Sequence, residues 1–86
     1  MNEKGKLIVE GESSERDILR IYQQFGTGYL VEIESKDMFY SNKFDAPDDA
    51  MQIITKWMPN ITLSMSKKKF GLEIERKVKL YNDLNR

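Results

Sequence analysis

The chain has 86 residues, of which 40% are hydrophobic and 33% charged, with 14 basic and 14 acidic side chains. That composition is globular rather than disordered, and a chain of this length has one small core, burying only about 60–65% of its unfolded surface. Cysteine and histidine are both absent, which removes disulfides, thiolate nucleophiles, imidazole bases and the usual zinc ligands. The chain therefore reads as non-enzymatic and cofactor-free, since histidine is the commonest acid–base group.

The neutral total hides an asymmetry. Residues 1–24 carry four basic and five acidic side chains, residues 25–50 two and six, and residues 51–86 eight and three. An acidic middle followed by a basic end implies either oriented partners or internal complementarity. No apolar run is long enough to span a bilayer, and Met1–Gly11 has neither a long apolar stretch nor a small-residue cleavage site, so the expected compartment is the cytoplasm.

Lys6–Gly11 is an apolar run between glycines and predicts a strand. Ser13 or Ser14 then offers a helix cap, with Glu15 and Asp17 suited to the positive end of the helix dipole. Ile18, Ile21, Tyr22 and Phe25 recur at helical spacing, and Gly26 is a natural stop. Residues 29–34 alternate, with Tyr29, Val31 and Ile33 on one face and Glu32 and Glu34 on the other. Aromatic-rich Met38–Phe44 predicts the second arm of a hairpin. Pro47, Asp48 and Asp49 open a second helix, which buries Ala50, Ile53, Ile54, Trp57 and Met58 and ends before Pro59. Ile61, Leu63 and Met65 alternate again. From Leu72 to Leu80 eight of nine positions fit a strand pattern, although Glu73–Lys77 and Glu75–Lys79 would be favourable helical pairs.

The expected architecture is α+β: a single domain over 1–86, with 1–4 and 82–86 frayed. The order β-α-β-β-α-β with an added C-terminal strand gives a ferredoxin-like sandwich, an antiparallel sheet with both helices on one face.

Two charged regions stand out. Lys67, Lys68 and Lys69, with Lys77, Lys79 and a nearby Phe70, suggest phosphate contacts and stacking; the plainer reading is a turn whose lysines guard an edge strand. Glu32, Glu34 and Asp37 form an acidic hairpin face able to dock on a basic groove, or else a solvated surface. No calcium-loop spacing is present. The aromatics of residues 39–44 lack the glycine-containing signature of RNA-recognition modules, and Val9–Arg16, with one glycine and several acids, makes a poor anion cradle.

The segments "FDAPDDA", "KWMPNITLSMS" and "KKFG", between Phe44 and Gly71, resemble the YubB-like ferredoxin-like domains of plasmid- and phage-encoded proteins. The three lysines stand where such domains carry an acidic turn, and the larger insert is missing. The resemblance implies a mobile-element origin, and hence action by binding and inhibiting a host protein, such as a defence nuclease or a nucleoprotein complex. The expectation is thus a protein-binding domain, with a nucleic-acid-binding module on the basic end as the alternative and a small-molecule regulatory domain third. An edge strand also offers homodimerisation by strand addition.

Overall fold

The computed structural model describes residues 4–85. Four strands, β1 (Lys6–Glu12), β2 (Ile18–Gln23), β3 (Tyr29–Glu34) and β4 (Phe39–Phe44), come first. Helix α1 (Pro47–Trp57), strand β5 (Thr62–Ser66) and helix α2 (Lys68–Leu84) follow. The five strands form one antiparallel sheet in the order β4-β3-β2-β1-β5. A meander fills four places, and α1 carries the chain back across the sheet so that β5 joins beside β1.

The α+β class, the five antiparallel strands and the two helices agree with the expectation, but the ferredoxin-like order does not hold. The segment expected as the first helix is β2, and the segment expected as the last strand is α2. The first exchange follows from what Ser13 does. Its Oγ accepts the backbone N–H groups of Glu15 and Asp17, at 3.2 and 3.1 Å, in the manner of a helix cap. Here the same chemistry closes the β1–β2 turn, with Arg16 at a φ of 68°. Ile18 and Tyr22 fall on one face of β2, and Leu19 and Ile21 on the other, so residues spaced for a helix also satisfy a strand. Phe25, expected on a buried helix face, is exposed in the β2–β3 connection.

The second exchange follows from burial. Phe70, Ile74 and Val78 are buried along α2 at four-residue spacing, with Gly71 beside them, while Leu72 and Leu80, which completed the alternating pattern, are exposed. Arg76, placed by strand parity on an apolar side, is instead exposed on the helix and bonded to Glu73 at 2.9 Å.

One core joins the helices to the sheet. Leu19, Ile21, Val31 and Ile33 supply the sheet side, Ala50, Met51 and Ile54 come from α1, and Phe70, Ile74 and Val78 come from α2. α1 touches β3 and β4, α2 touches β5 and β1, and the helices pack on each other. Helix α1 matches expectation at both ends, starting at Pro47 and ending before Met58. Its face differs by one step: Met51 is buried and Trp57 is 39% exposed. A bulge pairs Glu10 with Met65 and Gly11 with Leu63. It turns Met65 away from the helices, whereas alternation alone put it inward.

At the expected frayed ends, Lys4 makes an ion pair (below) and α2 runs through residues 82–84, while residues 1–3 and 86 lie outside those described.

The bulge depends on a close approach. A Cβ on Gly11 would sit 2.9 Å from the Thr62 carbonyl oxygen and 2.7 Å from Leu63 Cδ2. Gly11→Ala is therefore expected to destabilise the fold by about 1–3 kcal/mol, as overpacking does. Urea unfolding of the variant beside wild type checks this, and an unchanged midpoint would disprove the tight β1–β5 contact.

Candidate partner-binding site

The acidic hairpin face is built on β3. Register places Glu32 and Glu34 with Arg20 and Ile18 on the side away from the helices. Glu32 is not the solvated carboxylate expected: it is 2% exposed. One oxygen is bound by Lys4 Nζ at 2.8 Å, and the other, Oε1, has no hydrogen-bond partner among the described residues. The Lys4 ammonium also lies 5.7 Å from the centroid of the Tyr22 ring, which is buried on this side. Arg20 Nη1 donates to Glu34 Oε1 at 3.1 Å. These bonds raise the Lys4 and Arg20 pKa values above their ordinary range, chiefly through the hydrogen bonds to Glu32 and Glu34 respectively. Asp37 is exposed in the β3–β4 turn, where the Ser35 N–H donates to the Met38 carbonyl at 2.8 Å. Two of the three expected acidic contacts are thus neutralised within the molecule, and Asp37 alone stands outside these pairs.

The lysine run lies at the start of α2 rather than in a strand–strand turn. Lys67, Lys68 and Lys69 are all exposed. The Lys67 N–H donates to the Ile8 carbonyl at 2.8 Å, and Lys68 has a φ of 64°. No side chain caps this end of the helix, and no acid occupies its first turn. Phe70 is buried and stacked on Tyr29, with ring centroids 3.7 Å apart and planes 17° apart, so it cannot stack on a base. Lys77 reaches Asp48 on α1 at 2.5 Å, and Lys79 projects outward. The structure brings Lys67, Lys68 and Lys69 together at one helix end; Lys77 shares a pocket with Lys69, Glu73 and Asp48, and Lys79 lies further along α2.

A further surface was hidden by reading 72–80 as a strand. Leu80 and Leu84, 54% and 75% exposed, flank a groove between the helices whose floor includes Met51, Thr55 and Tyr81. The signal for it was present, because Phe70, Ile74 and Val78 at i, i+4 and i+8 define a buried stripe that leaves Leu80 and Leu84 beside it. Beside the groove Lys77 pairs with Asp48, and one turn away Arg76 pairs with Glu73, while Lys67, Lys68 and Lys69 lie at the opposite end of α2. A separate cleft of about 510 Å³ at the β1–β5 end is lined by Glu10, Glu12 and serine and threonine hydroxyls and holds none of the candidate residues. Among the described residues, no three acidic side chains gather as metal ligands, and no helix is long and apolar enough to cross a membrane.

Comparison with protein-family models, with curated proteins and with solved structures gives no match.

Two outcomes follow from these charges. Glu32 is held by one cation and, among the described residues, left short of one hydrogen bond; removing one partner of an ion pair is costly when the other stays buried, but the Lys4 side chain is half exposed and returns to water. Glu32→Met is expected to gain about 1 kcal/mol, read from guanidinium unfolding at neutral pH; a loss of that size would mean the Lys4 pair is a net stabiliser. Separately, Lys77 holds the Asp48 pKa below its ordinary 3.8, and Arg76 holds that of Glu73 below 4.5, in each case first through a hydrogen bond. Carboxylates depressed in the folded state add stability above their ordinary values and lose it as pH falls through the folded ones. Stability should therefore decline as pH falls below 4.5. The decline should be shallower in Lys77→Ala, and an identical acid limb in the two proteins would remove Asp48 from the account.

Proposed function

We propose that the protein is a small non-enzymatic binding domain that acts by protein–protein contact. It takes an acidic amphipathic segment of a host protein into the groove between α1 and α2. The observation that carries this reading is the pair Leu80 and Leu84, exposed beside an apolar groove. Apolar side chains set along a groove between two helices suit the apolar face of a partner helix. The lysines at the other end of α2, which make no ion pair among the described residues, favour a partner that brings negative charge there. The phage- or plasmid-encoded origin, and a defence nuclease or nucleoprotein complex as the inhibited target, rest on the family resemblance of residues 44–71. A second reading, a nucleic-acid-binding module, draws on the exposure of Lys67, Lys68 and Lys69 at a positive helix end. It is weaker because Phe70 is buried and Lys77 is engaged by Asp48.

The test uses tagged protein in host lysate, with and without nuclease, and a photo-crosslinker in place of Leu80. A captured protein that survives nuclease and crosslinks from position 80 supports the reading. Its affinity should fall about tenfold to hundredfold in Leu80→Asp/Leu84→Asp, as for interface anchors of 2 kcal/mol or so. Recovery of nucleic acid, lost with nuclease and in a variant with Lys67, Lys68 and Lys69 all changed to alanine, would replace the protein-binding reading with the second.

A further inference from the structure

The sheet ends on one side in β4, and among the described residues no strand pairs with its outer edge; the Lys43 N–H donates to Asn42 Oδ1 at 2.8 Å, a local bond that pairing with another strand would exchange. All six residues of β4 are in unbroken register with β3, with no bulge and no proline. The devices that normally blunt an edge are bulges, prolines, very short strands and charges pointing inward. β4 has one charge, Lys43, and it projects on the side away from the helices, as its partner Leu30 does. The opposite edge strand, β5, is bulged.

The flank of α1 that faces α2 carries Met51 and Thr55. Helical geometry puts Ile53 and Trp57 on the other flank, where Trp57 lines a cleft at the turn end of the sheet with Asp17, Ile33, Ser35 and Met38. Ile53 packs partly on the core with Tyr40, and Trp57 is 39% exposed.

We infer that β4 pairs antiparallel with β4 of a second copy, joining two sheets into one of ten strands with Ser41 facing Ser41 across the two-fold axis. Self-pairing limits the choice of register. Facing residues in an antiparallel pair share a side of the sheet, so residue numbers that face each other must have the same parity. Two central pairings keep five facing positions: Ser41 on Ser41, or Asn42 on Asn42. The Asn42 pairing sets the two Lys43 side chains diagonally about one residue pair apart, where like charges repel. The Ser41 pairing separates them and lays each Lys43 across from Phe39 of the other copy. Phe39 is 57% exposed in the single chain, and a lysine over its ring covers it with a cation–π contact. Glu34 lies directly behind Phe39 on β3, within the reach of the same ammonium.

This interface uses a different face from the α1–α2 groove, so the two proposals stand or fall apart. The chain has no cysteine, so a single introduced one reports its own pairing. Ser41→Cys is expected to form a disulfide-linked dimer under mild oxidation, since facing strand residues lie within disulfide range, while Asn42→Cys stays largely uncrosslinked. Sedimentation equilibrium of wild type should give twice the chain mass. Lys43→Glu, an exposed change, should weaken that dimer at least tenfold. Three results would each overturn the inference: wild type monomeric at its highest soluble concentration with Ser41→Cys uncrosslinked; Asn42→Cys crosslinking in preference to Ser41→Cys; or a dimer indifferent to Lys43→Glu that Leu80→Asp/Leu84→Asp abolishes.

Discussion

The meander β1–β4 presents one apolar face, made of Leu19, Ile21, Val31 and Ile33, and two helices must cover it. A chain of this size has no second layer to spare. α1 covers the β3–β4 half and α2 the β5–β1 half, so the stability of the sheet and the seating of α2 are one problem. The start of α2 shows how strongly packing governs the result. Three lysines at the positive pole of a helix are each unfavourable by about 0.3–1 kcal/mol, and no side chain caps the end. The helix nevertheless begins there, because Phe70 stacks on Tyr29, Gly71 sits against Ile8 and Val9, and the Lys67 N–H reaches the Ile8 carbonyl. Burying one aromatic side chain contributes about 1.5–3 kcal/mol, enough to offset much of that unfavourable electrostatics.

The other side of the sheet solves a different problem. With no helices above it, polar and ionic groups would be expected to meet water, yet Glu32 and Tyr22 are nearly inaccessible there. Lys4 and Arg20 convert what looks like an acidic surface into paired charges. The charge asymmetry along the sequence therefore has two fates. On β3 most of it is consumed internally, whereas at residues 67–69 it remains on the surface.

Where one periodicity was possible, the sequence was legible. The alternation of β3, the hairpin into β4, and Pro47 followed by two aspartates each admit a single local structure, and each was found. Residues 18–22 and 72–80 admit two. Ile18, Leu19, Ile21 and Tyr22 satisfy both a spacing of three to four and a spacing of two, and Ser13 offers identical hydrogen bonds to a helix or to a turn. In 72–80 the alternating pattern relied on Leu72 and Leu80, which are exposed. The decision there rests on Phe70, Ile74 and Val78 joining the core with Ile8 and Val9, and on Phe70 meeting Tyr29, associations distant in sequence that no local pattern contains. The candidate site inherited the same ambiguity. The lysines were visible as a cluster but not as a helix end, and Leu80 was assigned to a buried face when it is the most informative exposed side chain of α2.

That last reassignment changes what the lysines mean. As a turn between strands they would only guard an edge. At the head of a helix whose other end exposes Leu80 and Leu84, they become one pole of a surface that is basic at one end and apolar at the other. Neither end is favourable to the isolated chain: the lysines oppose the dipole, and the leucines keep apolar area in water. Local choices that run against stability in the free protein gather where another molecule removes the conflict. An acidic amphipathic segment lying in the α1–α2 groove would relieve both at once, covering the leucines and bringing negative charge to the uncapped amides. Nucleic acid would relieve only the first conflict's charge and leave the apolar end in water, which is why the proposed partner is a protein.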